Sequence, residues 1–179
     1  MGTAIGLVEL TSIARGIETS DYMVKAAKVD LIRASTICPG KYVTIVAGET
    51  GDVKAAMAEG TKHGGEFVVN TLMLPNVHPQ LIPALSMTSQ VPQGGAVGVL
   101  EFFSVASAII AADVAAKAAN VTLIEVRMGF AIGGKGFVTL TGDVGAVREA
   151  VAAASRDAEL LLNTCVIPRP APQLFESLM

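Results

Sequence analysis

Ala4-Ile5-Gly6-Leu7-Val8-Glu9 returns as Ala96-Val97-Gly98-Val99-Leu100-Glu101, and that return decides how the chain is read. Each copy is followed by a serine and an alanine, Ser12 and Ala14 in the first, Ser104 and Ala106 in the second. Further out the copies stay in step through Asp21 and Asp113, Lys25 and Lys117, and Val29 and Val121. After a two-residue insertion they meet again at Gly40-Lys41 and Gly134-Lys135, then at Gly48 and Gly142. They close in parallel, Asn70-Thr71 with Pro75 against Asn163-Thr164 with Pro168. A period near half the chain is too long for a solenoid unit and describes a duplicated domain. Two fused copies carry pseudo-twofold information in one polypeptide, so function is sought first in an assembly of chains.

The order of elements is the same in each copy. Ala4 to Leu10 is apolar with one Glu, the pattern of a buried strand. Ile17 to Lys28 reads as a helix, Asp30 to Ile37 and Lys41 to Ala47 as strands split by the turn Cys38-Pro39-Gly40. Asp52 to His63 reads as a second helix stopped by Gly64-Gly65, and Glu66 to Leu74 as a fourth strand. The second copy predicts strand 96–102, helix 105–119, strands 121–131 and 135–141, helix 144–155 and strand 160–167. The order β-α-β-β-α-β is that of the split-βαβ, ferredoxin-like α+β folds, with helices over one face of each sheet. Pro75 to Gly95 reads as the linker, with a short helix over 79–85. The expected domains are therefore residues 1–90, linker included, and 91–179.

Composition narrows the function. The chain is 51% hydrophobic and 16% charged, the excess being largely Ala and Val, with no Trp. Small residues without large aromatics suit close packing of flat faces and tight subunit edges. The most apolar stretch, Phe102 to Ala119, spans only about 18 residues and includes Asp113 and Lys117, so no membrane span is expected. No basic-then-apolar leader opens the chain, and a cytoplasmic protein is expected. A net charge of −3 leaves no basic footprint for nucleic acid. Cys38 and Cys165 lie at non-equivalent places, so no duplicated disulfide is implied, and Cys165 in its apolar run reads as a small buried hydrophobe.

Several strings in register resemble the bacterial microcompartment shell domain. Ala112-Asp113-Val114-Ala115-Ala116-Lys117-Ala118-Ala119 is that family's helix signature intact; the first copy differs at its opening position, as Ser20-Asp21-Tyr22-Met23-Val24-Lys25-Ala26-Ala27. Val121-Thr122-Leu123 is intact where the first copy has Val29-Asp30-Leu31. Gly142-Asp143-Val144-Gly145-Ala146-Val147 answers Gly48 to Val53, and Val166-Ile167-Pro168-Arg169-Pro170 answers Met73-Leu74-Pro75-Asn76. The resemblance spans the chain twice, from 4 to about 79 and from 96 to about 170. It implies a trimer of tandem domains with a pseudohexameric outline, tiling with other microcompartment shell proteins in the shell. It assigns Lys25, Lys117 and Arg169 to the edges between rings, although Asn76 replaces the arginine in the first copy.

In such rings the turn between the second and third strands lines the central pore. Those turns are Ile37, Cys38, Pro39 and Gly40 in the first copy, and Phe130, Ala131, Ile132, Gly133 and Gly134 in the second. The second resembles an ordinary Gly-rich pore loop. Ile37-Cys38-Pro39-Gly40-Lys41 resembles the iron–sulfur variant of tandem shell proteins from propanediol-utilisation compartments. Taken without that resemblance, Cys38 reads as a free thiol beside a turn, since one Cys per chain cannot supply the four thiolates of an ordinary cluster. With it, three chains bring three thiolates to one axis. The resemblance then implies one iron–sulfur cluster, of the 4Fe–4S type, per trimer, and encapsulated redox enzymes as electron partners.

The remaining motifs point away from catalysis. Gly133-Gly134-Lys135-Gly136 lacks the spacing and the Ser/Thr of a phosphate loop and reads as a turn between strands. His63 and His78 stand apart as surface residues, and no Ser/His/Asp set or paired-carboxylate motif emerges, so a structural protein is expected in place of an enzyme. Glu9 and Glu101, repeated inside their strands, read as hydrogen-bonding structural groups. Two alternatives stay open: a shell trimer with an empty, metabolite-conducting pore, and a trimeric ferredoxin-like ligand-binding regulator that forms no sheets.

Overall fold

A computed structural model describes residues 4–178, and the chain divides into two compact units between Val77 and His78. The first unit runs β1 (Ala4–Leu10), α1 (Ile13–Ala26), β2 (Val29–Ile37), β3 (Lys41–Gly48), α2 (Thr50–Gly64) and β4 (Val68–Leu74). The second runs α3 (Leu81–Leu85), β5 (Ala96–Phe102), α4 (Val105–Ala118), β6 (Val121–Met128), β7 (Gly136–Gly142), α5 (Val144–Ser155), β8 (Leu161–Ile167) and α6 (Pro172–Ser177). Each unit holds one antiparallel four-stranded sheet, in the orders β2-β3-β1-β4 and β6-β7-β5-β8. This is the expected α+β, ferredoxin-like arrangement, made twice.

The duplication reaches fine detail. Ser12 and Ser104 are both helix N-caps, accepting the main-chain N–H of Arg15 and of Ser107, each at 3.3 Å. Register shifts fall at Glu9/Leu10 and Glu101/Phe102, and again at Leu31/Arg33 and Leu123/Glu125. The helices lie close over β1 and β5 because Gly6 and Gly98 lack a side chain. A Cβ on Gly6 would stand 2.7 Å from the Met57 side chain, and one on Gly98 2.9 Å from Val147 and Val151. Val8, Leu10, Met23, Val46, Val53 and Met57 form the core of the first unit. Each large aliphatic side chain so buried contributes roughly 1.5–3 kcal/mol.

Several boundaries differ from the sequence expectation. α1 starts at Ile13, not Ile17, because Ser12 caps it. β6 stops at Met128, short of Ala131, because Gly129 takes a φ of 55° and turns the chain. β4 begins at Val68, after a 3-10 turn over Gly65–Phe67. Residues 78–90, grouped by sequence with the first copy, pack in the second unit. Leu81, Ala84 and Leu85 are buried there. The Gln80 side chain donates to the Val121 carbonyl at 3.0 Å and accepts the Leu123 N–H at 2.8 Å, extending the β6 ladder. α6, not foreseen, is a short helix of 6 residues opened by Pro172 and anchored by buried Phe175. No helix among the described residues is long and apolar enough to cross a membrane.

Candidate functional site

The two hairpin turns differ in width and chemistry. In the first unit Ile37 pairs across the ladder with Lys41, leaving Cys38, Pro39 and Gly40 as a tight turn. Ile37 is buried, Cys38 is half-buried with a free thiol, and Pro39 and Gly40 are exposed. The Cys38–Pro39 peptide is cis, and Gly40 takes a φ of 74°, a conformation open to glycine without steric cost. In the second unit Met128 pairs with Gly136, so the turn takes in everything from Gly129 to Lys135. The Gly129 N–H donates to the Lys135 carbonyl at 2.8 Å and the Lys135 N–H to the Ile132 carbonyl at 3.3 Å. Ala131, Gly133 and Gly134 all have positive φ, and Phe130 projects into solvent. Neither turn carries a charged side chain until the lysine that closes it.

That lysine is anchored in both units. Lys41 is ion-paired with Glu9 on β1, and Lys135 with Glu101 on β5 at 2.8 Å. The repeated glutamates are thus structural, as read from the sequence, but their partners lie across the sheet and were not foreseen. The pairs are unequal: the Glu9 side chain is only 5% exposed and that of Glu101 is 34%. Breaking a buried pair costs about 3–5 kcal/mol, a partly exposed one about 1 or less. Lys135 also lies over the Phe103 ring, 5.7 Å from its centroid.

The residues expected at ring edges lie elsewhere on each unit. Lys25 and Lys117 sit in the last turns of α1 and α4, each paired with the aspartate four residues earlier, Asp21 at 2.6 Å and Asp113 at 2.5 Å. Asp113 is held further by the His78 N–H at 2.7 Å. Arg169 is exposed just past β8, beside a 440 Å³ cavity lined also by Pro168, Pro172 and Phe175. Two readings are corrected. Cys165 is exposed, not buried, because β8 is an edge strand whose alternate residues face away from the helices. His63 and His78 are half-buried: His63 stacks on Tyr22, and the His78 main chain is tied to Asp113. Among the described residues no group of three or more His, Cys, Asp or Glu could hold a metal within one chain.

Two like units, each with a four-stranded sheet, paired helices and an anchored hairpin turn, define a tandem protein of one domain class. The BMC domain family matches residues 4–77 and 96–170, and the chain belongs to it. It is 46% identical to the bacterial microcompartment shell protein PduT of Citrobacter freundii, over 100% of this chain and 99% of that one. A crystal structure of a microcompartment protein from Desulfitobacterium hafniense superposes with a TM-score of 0.93 at 46% identity, covering 96% of this chain and 97% of that chain. A fused, permuted hexameric shell protein from the RMM microcompartment gives a TM-score of 0.56 at 28% identity, over 84% and 78% of the two chains. The chain is therefore a tandem-domain shell protein of a bacterial microcompartment.

Proposed function

We propose that three chains close into a trimer of pseudohexameric outline whose Cys38 turns meet on the threefold axis and hold one iron–sulfur cluster, of the 4Fe–4S type. Support for closure comes from an uncovered helix face. Ile13 and Ile17 of α1 are 41% and 57% exposed, whereas their counterparts Val105 and Ile109 are 2% and 0% exposed. Ile13 and Ile17 lie one turn apart on the same face of α1, a contiguous apolar patch of the kind a neighbouring chain would cover.

The observation that carries the metal reading is Cys38 itself, a free thiol opening the tighter turn, in a hairpin whose counterpart in the second unit has no sulfur. The donor set fits: soft thiolates select iron–sulfur clusters, and one sulfur per chain serves only if threefold symmetry gathers three. Bound there, the cluster supplies one-electron transfer across the shell. The protein's own part is to hold each Cys38 through the Pro39-Gly40 bend, with the Lys41–Glu9 pair fixing the base of the hairpin. Three cysteines leave one iron without a cysteine ligand, so that position should exchange readily. Lys25, Lys117 and Arg169 serve the edges towards other shell proteins, and encapsulated redox enzymes are the electron partners.

The test is iron and acid-labile sulfide after anaerobic purification. Wild type and Cys165→Ser should carry the cluster, and Cys38→Ser should carry neither iron nor sulfide while keeping its oligomeric mass. Full iron and sulfide in Cys38→Ser would overturn the assignment and leave an open metabolite pore as the better reading.

A further inference from the structure

The duplication does not end at Pro75 and Pro168. Without a gap, His78-Pro79-Gln80-Leu81-Ile82 is answered by Ala171-Pro172-Gln173-Leu174-Phe175, and Leu85 by Leu178. The repeat therefore runs through both short helices, α3 and α6. A copied segment whose seat is visible in one unit implies a like seat in the other.

The seat of the first segment lies on the second unit. The His78 N–H donates to Asp113 Oδ1 at 2.7 Å. Gln80 brackets β6, donating to the Val121 carbonyl at 3.0 Å and accepting the Leu123 N–H at 2.8 Å. Leu81 and Leu123 are both 0% exposed. One glutamine thus satisfies two outward main-chain groups of an edge strand, and a leucine beside it closes the contact.

The first unit presents the same groups uncovered. Asp21, Val29 and Leu31 are the counterparts of Asp113, Val121 and Leu123. β2 is also an edge strand, and its register is the same: Val29 faces Gly48 and Leu31 faces Val46, as Val121 faces Gly142 and Leu123 faces Leu140. The Val29 carbonyl and the Leu31 N–H therefore point off the edge, as their counterparts do. Yet Leu31 is 48% exposed, and the Asp21 side chain is 55% exposed against 9% for Asp113. The second segment is half used in the same way. Phe175 is buried and anchors α6 on its own unit, while Gln173 is exposed and Leu174 is 40% exposed. The tail lacks the seat that the β2 edge supplies, and the edge lacks the cap that the tail supplies. Both leucines are exposed in the single chain, so the partner of each comes from another copy.

We propose that the tail of one chain, Ala171 to Leu178, docks on the β2 edge of the next. Gln173 brackets Val29 and Leu31, the Ala171 N–H meets Asp21, and Leu174 packs on Leu31. Such a joint is heterologous and makes a ring when its rotation closes. The inference deepens the trimer reading and rests on it for the number of copies; it does not need the Cys38 cluster.

The test follows dissociation of the full chain by native mass spectrometry over a dilution series. Leu31 and Leu174 are exposed in each chain, so a charge there spares its fold. Leu174→Glu and Leu31→Glu should each raise the concentration of half-dissociation about tenfold or more. Leu174→Glu combined with Leu31→Lys sets opposite charges across the joint and should move that concentration back towards wild type. A wild-type trimer unmoved by both glutamate variants, or a loss that Leu31→Lys does not repair, overturns the docking and leaves the trimer reading standing. A wild type that is monomeric throughout removes the trimer reading and this joint with it. A second measurement does not depend on charge. In a Cys38→Ser, Cys165→Ser background, Leu31→Cys with Leu174→Cys and a short bismaleimide should link two and three chains on a denaturing gel. Neither cysteine alone should do so, and linkage confined to single chains would also overturn the proposal.

Discussion

The first unit is built around a tight, sulfur-bearing turn and exposes Ile13 and Ile17 on α1; the second has a wide, Gly-rich turn and exposes Ile110 and Val114 on α4. Both keep the same sheet order, the same serine caps, the same register shifts and the same lysine–glutamate anchor. What the duplication preserved is therefore the frame, and what it released is the chemistry at the turn and on the helices. Even the core shows compensation. Gly16 on α1 makes room for Tyr42 on β3, a Cβ there lying 2.5 Å from the tyrosine ring. At the matching places Ala108 takes the volume and Gly136 gives it up, with a Cβ on Gly136 only 2.8 Å from Ala108. Volume moved from strand to helix while the sheet stayed the same, as close-packed interiors require.

That contrast can be broken most severely at the edges. Replacing both Lys25 and Lys117 by glutamate sets a second carboxylate beside Asp21 and Asp113 on each helix and reverses charge on both units. Extended sheets in electron micrographs should disappear while the oligomeric mass is unchanged. Unchanged sheets would show these lysines to be ordinary helix-surface groups.

A smaller effect separates the two anchors. Lys41→Met strands Glu9 in its buried seat and should cost about 3 kcal/mol in denaturant unfolding. Lys135→Met leaves the more exposed Glu101 and should cost about 1 kcal/mol or less. Equal losses would mean that the hairpins are anchored alike and that the tighter turn gains nothing from its buried pair.

The smallest effect belongs to a pair that only the first unit has. Hydrogen bonding by Lys62 first, then its charge and that of His63, holds the Glu59 carboxyl below its ordinary value of 4.5. A carboxyl lowered on folding stabilises above its unfolded value, and that contribution fades as pH falls through the folded one. Glu59 lies at the surface with its side chain 37% exposed and its partners' charges screened by solvent, so Glu59→Gln should shift acid unfolding only slightly, and only below about pH 4.5. A large shift would show the Glu59–His63–Tyr22 cluster to be a structural keystone of the first unit.

Much of the frame was legible because it is local and repeated. The alternation of strands and helices and the turn at Cys38-Pro39-Gly40 are written within a few residues, whereas the Ser12 cap went unread and the first helix was expected only from Ile17. The anchors were half legible: the repetition of Glu9 and Glu101 marked them as structural, but Lys41 and Lys135 reach them across the sheet, from 32 and 34 residues away. The exposure of Ile110 and Val114 on α4 was not legible at all. Ile110 and Val114 look like two more apolar residues of an alanine-rich helix. Cys165 misled because an apolar run suggests burial, whereas an edge strand exposes alternate residues.

Native mass spectrometry of anaerobically purified wild type tests the central claim most directly. The account predicts a single species with the mass of three chains plus one iron–sulfur cluster, and its reduction to the bare three-chain mass in Cys38→Ser. A monomer, a hexamer of chains, or a three-chain species with no added mass in the wild type would contradict it.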